Sequence, residues 1–355
     1  MKKIAFLFPY NTWGGAFRST YELTNRLVAK GYDVDIIFPI WAPWEGERNI
    51  IRNFIWRFRS LARSLIRGRK VPWFSVKAQI KLIPRISSRH FLSYDHIIAN
   101  HWNTAMPVHS LDVQAIKSFY IRDVEQWASY YSLELEAFKL PLNKIVVADW
   151  IQLFLFKQLG LSSTVITNGT NPDPFLVTKK KFKKNSPVIS MIYATHPMKA
   201  MDFGYQVLSA VKKMRPEVII RLFGFARPPE SWSFVDEFIA RPTGEKLRKV
   251  YADSDIFFCP SDQEGFHNPP REAMVAEAAV LATDVGCIPT LGLDRENMMV
   301  IAPRDEEQAV SKMIELIDSL ELRLRLTASA KKTILASSWD SKVLEFEEFM
   351  GILEK

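Results

Sequence analysis

The chain has 355 residues, 48% of them hydrophobic and 24% charged, and a formal net charge of +8. That length supports two domains with full cores, and the composition excludes a disordered or low-complexity chain. No apolar run approaches the roughly 18–20 residues of a membrane span, and the two cysteines, Cys259 and Cys287, exclude a disulfide framework and imply a reduced, cytoplasmic protein.

Lys2-Lys3 followed by Ile4 to Phe8 resembles a secretory leader only superficially. The apolar part is too short and no small-residue cleavage site follows, so it reads as a first β-strand. A Gly14-Gly15 turn, a helix from Ala16 to Lys30 closed by Gly31, and a second strand from Val34 to Phe38 come next. Between Arg48 and Arg89 the chain carries twelve Lys or Arg and no acid; without them, 35 basic residues face 39 acidic ones, so this segment alone makes the protein basic. Within it, Ile50, Ile51, Phe54, Ile55, Phe58, Leu61, Ala62, Leu65 and Ile66 follow a helical stripe, and Arg52, Arg59, Arg63 and Arg67 occupy another part of the same helix. Two readings fit: a peripheral helix lying on an anionic bilayer, or a stripe packed on the sheet with solvated arginines.

Short apolar runs at Ile97–Ala99, Ser118–Ile121, Ile145–Ala148 and Thr164–Ile166 predict further strands. Asn168-Gly169 breaks this alternation, and a lysine-rich stretch over 171–187 reads as a linker. A second alternation follows, with strands at Val188–Ala194, Val218–Phe223, Ile256–Cys259, Leu281–Thr283 and Met299–Ala302. Its helices are expected at Ala200–Met214, Glu245–Ala252, Pro269–Val280, Glu306–Ser319 and Glu321–Leu335, and a last one runs from Asp340 to Leu353. The predicted class is α/β, each sheet parallel and covered on both faces. The expected domains are 1–170 and 188–336, with 337–355 packing back on the first.

The densest signal is Glu264-Gly265-Phe266-His267-Asn268-Pro269-Pro270-Arg271-Glu272, which joins the strand at Ile256–Cys259 to a helix. Asn268 reads as an N-cap and Pro269 as the first helical residue. Such a terminus attracts negative charge through its unpaired amides and the helix dipole. Two acids eight positions apart beside an anion site suit a hydroxyl-rich group carried on a phosphate, which points to a sugar nucleotide.

With that motif, several others resemble one family. They are Ala252-Asp253-Ser254-Asp255-Ile256, Pro260-Ser261, Ala282-Thr283-Asp284-Val285-Gly286, Gly14-Gly15, His101, Asn168-Gly169, Lys199 and Ser338-Trp339. The chain resembles the retaining glycosyltransferases of family 4, most strongly from 250 to 303. The resemblance implies a GT-B fold: two Rossmann-like domains facing across a cleft, and a C-terminal helix crossing back to the first. It implies that Glu272 binds the ribose diol, Glu264 contacts the donor sugar, and Lys199 neutralises the departing diphosphate. His101 would stand near the reacting sugar, so His101, Glu264 and Lys199 form the catalytic set. Gly14, Gly15, Gly224, Gly265, Phe266, His267 and Asn268 complete the donor-binding set, with the side chain of Phe266 read as packing. Around Lys199 the chain departs from the family, with Tyr193, Met198 and Ala200 where an Arg and a Gly are usual. Arg122 and Arg227 are candidates for a second cation on the diphosphate.

Asp33-Val34-Asp35 and Asp253-Ser254-Asp255 both precede strands, at the sheet edge opposite the expected ligand side, so no metal or other cofactor is expected. The implied activity is metal-independent sugar transfer to a glycan or lipid-linked acceptor in bacterial surface polysaccharide or lipopolysaccharide synthesis. The expected site of action is the inner face of the cytoplasmic membrane, with an anionic membrane surface as partner. Two alternatives stand beside it: a nucleic-acid-binding protein or DNA-modifying GT-B transferase using 48–89, and a catalytically silent GT-B partner subunit. Nothing in the basic segment resembles a base-reading module, so no nucleic-acid partner is expected.

Overall fold

Short β-branched and aromatic runs alternate with amphipathic stretches, and the chain folds accordingly into two parallel sheets. The structure is a computed structural model that describes residues 2–12, 14–41, 71, 73–177, 182–183 and 186–351. The predicted amphipathic helix of the basic segment lies outside the described residues. The chain divides into two compact units, Met1–Gly169 with Trp339–Lys355, and Thr170–Ser338.

In the first unit the strands are β1 (Lys3–Leu7), β2 (Asp33–Pro39), β3 (Gln79–Ile83), β4 (His96–Ala99), β5 (Ile116–Ile121), β6 (Asn143–Val146) and β7 (Thr164–Val165). The helices are α1 (Gly15–Ala29), α2 (Trp102–His109), α3 (Tyr131–Lys139) and α4 (Asp149–Leu159). The strands lie in the order β3-β2-β1-β4-β5-β6-β7, all parallel. The central strand β1 is buried from Ile4 to Leu7, as burial on both faces of a parallel sheet requires.

The second unit contains β8 (Val188–Tyr193), a 3-10 turn at Pro197–Lys199, α5 (Met201–Met214), β9 (Ile219–Gly224) and β10 (Glu237–Ala240). It continues through α6 (Gly244–Ala252), β11 (Ile256–Cys259), α7 (Asn268–Val275), β12 (Ala279–Thr283) and α8 (Ile288–Leu291). β13 (Met299–Ile301), α9 (Glu306–Asp318) and α10 (Leu320–Ala336) complete it. Its parallel order is β10-β9-β8-β11-β12-β13. One core joins β8 and β11 to α5 and α9 through Met191, Phe203, Val207, Phe258 and Met313.

The last helix, α11 (Trp339–Phe349), packs on α1 of the first unit. Glu347, only 2% exposed, takes Lys30 Nζ at 2.6 Å and the Tyr32 hydroxyl at 2.9 Å. Phe346 stacks on Phe6. Among the described residues no helix is long and apolar enough to cross a membrane.

The structure corrects three expectations. Strands β3 and β10 occur where none is predicted; both are edge strands, with one flank unpaired among the described residues and mixed polar side chains that weaken the apolar signal. The helix expected over Pro269–Val280 ends at Val275, because Glu277 takes a left-handed backbone (φ 57°) and Val280 pairs with Phe257 inside β12. Its start also differs: Asn268 is the first helical residue, and His267 (φ 78°) holds the cap position without a side-chain cap bond.

Candidate functional site

In each sheet the strand order reverses beside the first strand, between β1 and β4 and between β8 and β11. Open parallel sheets bind ligands beyond the carboxyl ends of the strands at such a switch point. Five of the sequence candidates fall at these two places. Gly14, Gly15 and His101 follow β1 and β4, whereas Lys199 and Glu264 follow β8 and β11.

In the second unit, a tight turn puts Lys199 at its end, with Ala200 in left-handed conformation (φ 50°) starting α5. The Met198 carbonyl accepts the Asp262 amide at 2.9 Å and so ties this turn to the loop after β11. The tie brings Lys199 Nζ to 2.6 Å from Glu264 Oε1. Ser261 donates its hydroxyl to the same oxygen at 2.7 Å, and His267 Nε2 stands 3.4 Å away. These side chains, with Ile192, Phe258, Cys259 and Pro269, line a cavity of about 30 Å³.

Burial works against ionisation of Glu264, but His267, Lys199 and Ser261 hold its carboxyl below the ordinary range. Burial pushes the His267 imidazole down to about 4, with the Glu264 carboxylate offsetting part of that, so at neutral pH the ring is uncharged. Its buried Nδ1 has no hydrogen-bond partner among the described residues. The cluster at pH 7 is therefore one ammonium, one carboxylate and a neutral imidazole. The strain of the His267 backbone is supported from below. A Cβ on Gly286 (φ +65°) would meet the Phe266 carbonyl at 2.8 Å and His267 Cβ at 2.9 Å, so the glycine lets the Glu264 loop sit against the turn after β12.

The remaining second-unit candidates have distinct surroundings. Phe266 is buried at 8% exposure beneath the Arg271 guanidinium, and its carbonyl accepts the Cys287 amide at 2.8 Å. Gly224 ends β9, and a Cβ there would meet the Tyr193 carbonyl at 2.1 Å, so close strand packing already requires a glycine. Gly265 is buried, and Asn268 is half-buried in the first turn of α7. Glu272 is not in that first turn, which holds no acid, so simple helix-dipole complementation does not account for it. One of its oxygens accepts the Tyr251 hydroxyl at 2.8 Å.

Of the two cation candidates, Arg122 is committed inside the first unit, donating to Asn168 Oδ1 at 3.0 Å and to Thr20 Oγ1 over the Tyr120 ring. Arg227 lies over Phe238 in a separate groove of about 590 Å³ that also contains Arg221, Lys246 and Lys249. Neither joins the Lys199 cluster. The Asp-x-Asp pairs serve the fold. Asp35 is fully buried against Lys81 and the Tyr94 hydroxyl, and Asp255 accepts the Val188 and Lys183 amides. Asp253 pairs with Lys249. Both cysteines are free and buried.

In the first unit, His101 caps α2: its Nδ1 faces Asn103 Oδ1 at 2.8 Å and its amide donates to Thr104 Oγ1 at 3.3 Å. Either tautomer commits Nδ1 locally and leaves Nε2 for other chemistry. Burial lowers its pKa while the Glu125 carboxylate raises it. Glu125 takes the Tyr130 hydroxyl, and its amide donates to Glu134 at 2.8 Å. Gly14 meets no crowding, a Cβ there reaching only Phe17 at 3.5 Å, so the fold itself does not demand a glycine before α1.

Glu134, 4% exposed, is pushed up to about 8 by burial, with Glu125 and Asp123 adding repulsion. Between its ordinary value of 4.5 and about 8, the unfolded chain has released a proton that the folded chain keeps. Stability therefore falls as pH rises through that window. Glu134→Gln, which still accepts the Glu125 amide, is expected to stabilise the protein by roughly 2–4 kcal/mol at pH 8 and by little at pH 4.5. Denaturant titrations at the two pH values check this; equal effects at both would contradict it.

Three residues that contact the candidate residues escaped sequence reasoning: Ser261, Tyr251 and Arg271. Ser261 lies two residues past the end of β11, a position that could have flagged it. Tyr251 and Arg271 lie on helices and acquire their contacts only through packing.

Comparison with known proteins bears on the family and the fold. Residues 186–319 match the family model described as glycosyl transferases group 1. An uncharacterized glycosyltransferase of Methanocaldococcus jannaschii, MJ1178, is 26% identical over 108 residues, which is 30% of this chain and 31% of the relative's length. Among solved structures, HepE of Anabaena in complex with UDP and glucose superposes with a TM-score of 0.75 at 14% identity, covering 99% of this chain and 100% of that one. WaaG, a glycosyltransferase involved in lipopolysaccharide biosynthesis, gives 0.69 at 14% identity over 98% and 99% of the two chains. At these identities the two structures share the fold.

Proposed function

We propose, from the match of residues 186–319 to the family model of the group 1 glycosyl transferases, that the protein transfers a sugar, with anomeric retention and without a metal, from a nucleoside diphosphate sugar. The single observation that carries this reading is the Lys199–Glu264 pair at the β8/β11 switch point. A cation after one strand and a carboxylate after its neighbour stand where opposite charges develop as a diphosphate leaves a sugar. Glu272, eight residues on, supplies a carboxylate with acceptor capacity for a vicinal diol. Gly265, His267, Asn268 and Gly224 form the backbone around the donor.

To the first unit we assign the acceptor; Gly14 and Gly15 keep the donor-binding role, and His101, through its Nε2, the catalytic role expected of them. The acceptor class is a glycan or lipid-linked saccharide of a bacterial surface polysaccharide; likeness to WaaG and the basic stretch between Arg48 and Arg89 support that reading. A lipid-linked acceptor suits a peripheral enzyme held at an anionic membrane surface.

Thermal unfolding in the presence of UDP, GDP, dTDP and ADP tests the donor. One nucleotide at a hundred times its dissociation constant is expected to add about 2.7 kcal/mol, seen as a raised Tm, and Glu272→Ala is expected to remove most of that gain. If none of the four raises Tm while duplex DNA binds at physiological salt, the nucleic-acid alternative replaces this one. Binding of a nucleotide without hydrolysis or transfer from any sugar nucleotide favours the silent-subunit alternative.

A further inference from the structure

Tyr251 stands at the end of α6, 1% exposed, with its hydroxyl 2.8 Å from Glu272 Oε2. Three aromatic rings hold it. Phe175 meets it edge-on at 5.3 Å, Phe223 edge-on at 5.7 Å, and Phe257 at 5.0 Å tilted by 37°. A ring boxed in this way has one accessible orientation, so its O–H points at the carboxylate before any ligand arrives. Glu272 is half-buried in the second turn of α7, on a side chain with three rotatable bonds.

We infer that Tyr251 is a positioning residue that presets the Glu272 carboxylate for a ribose 2′,3′-diol. The inference rests on the donor reading above and names how one contact of that site is built. An ionised carboxylate offers about four acceptor positions, of which the tyrosine takes one. The two oxygens of a carboxylate suit two neighbouring hydroxyls. A free glutamate would lose much of its rotamer freedom on binding the diol, and the tyrosine imposes that loss during folding instead. The phenol is neutral and donates to a charged acceptor, the stronger class of hydrogen bond.

The test is calorimetric binding of UDP, GDP and ADP, each beside its 2′,3′-dideoxy form, to the wild type and to Tyr251→Phe. Phenylalanine keeps the ring in its box, and the unfolding temperature of the variant serves as the folding control. The expected result is a wild type that prefers one ribonucleotide over its dideoxy form. In Tyr251→Phe the ribonucleotide should weaken by about 5–10-fold while the dideoxy form is unchanged. With the matching sugar nucleotide, KM should rise by a similar factor and kcat stay constant.

If the wild type shows the diol preference and the variant weakens both nucleotides equally, or neither, Tyr251 only packs and the inference fails alone. If no nucleoside diphosphate binds the wild type, the donor reading itself fails and the inference falls with it.

Discussion

Lys199→Ala is expected to lower kcat for sugar transfer by about 10²–10³-fold, the cost of removing one preorganised charge from a site where charge develops. Its ammonium is one-third exposed and 2.6 Å from Glu264, whose side chain is 11% exposed. The ammonium thus faces a nearly dry carboxylate on one side and reaches solvent, where a diphosphate can meet it, on the other. KM for the donor should change less than kcat, because negative charge on the diphosphate grows as the bond to the sugar breaks.

Glu264→Gln should give a loss of the same order. Since the two groups act as a pair, the double variant Lys199→Ala, Glu264→Gln should be far less impaired than the product of the single effects. Single-turnover kinetics on the three variants check this. A Lys199→Ala enzyme within fivefold of wild type would show that the pair serves only the fold.

Gly169→Ala should destabilise the protein by about 3 kcal/mol or more, at the upper end of overpacking effects. A Cβ there would lie 2.3 Å from Trp339 Cα and 2.6 Å from its nitrogen and ring. Backbone atoms cannot swing aside as a flexible side chain does, so α11 must shift at its first residue. Trp339 is 4% exposed and carries the Arg26 guanidinium over its ring.

The effect reaches further because the next residues are also engaged. Thr170 donates its amide to the Ser337 carbonyl at 2.7 Å, and Arg271 bonds both side chains. Arg271 is 4% exposed, so a shift of Thr170 weakens hydrogen bonds made by a buried charge. Urea titration measures the loss; a Gly169→Ala variant within 1 kcal/mol of wild type would mean that the two segments separate freely.

The alternation of strands and helices, the two-domain division of the sheets and the motif around Glu264 were legible without coordinates. Each is a local signal: an apolar run bounded by turn residues, or acids around a helix start. The edge strands β3 and β10 were not legible, since a strand paired on one flank needs less apolar character and leaves a weaker pattern. The end of α7 was missed for another reason. Ala276-Glu277-Ala278 suits a helix by propensity, yet Glu277 turns left-handed, with Lys331 of α10 holding its carboxylate at 2.6 Å.

By itself the sequence determined the class of fold, and it placed the candidate residues at strand ends and named the residue types that the proposed chemistry would use. Periodicity and turn chemistry depend on neighbours in the chain, and these signals survive in any tertiary context. The tertiary structure decided which of those residues meet. It put Lys199 on Glu264 across 65 positions of chain and Tyr251 on Glu272 across 21, and it kept Arg122 inside the first unit. Such pairings follow from how helices pack on a twisted sheet, and side-chain directions set by packing leave no periodic trace in the chain.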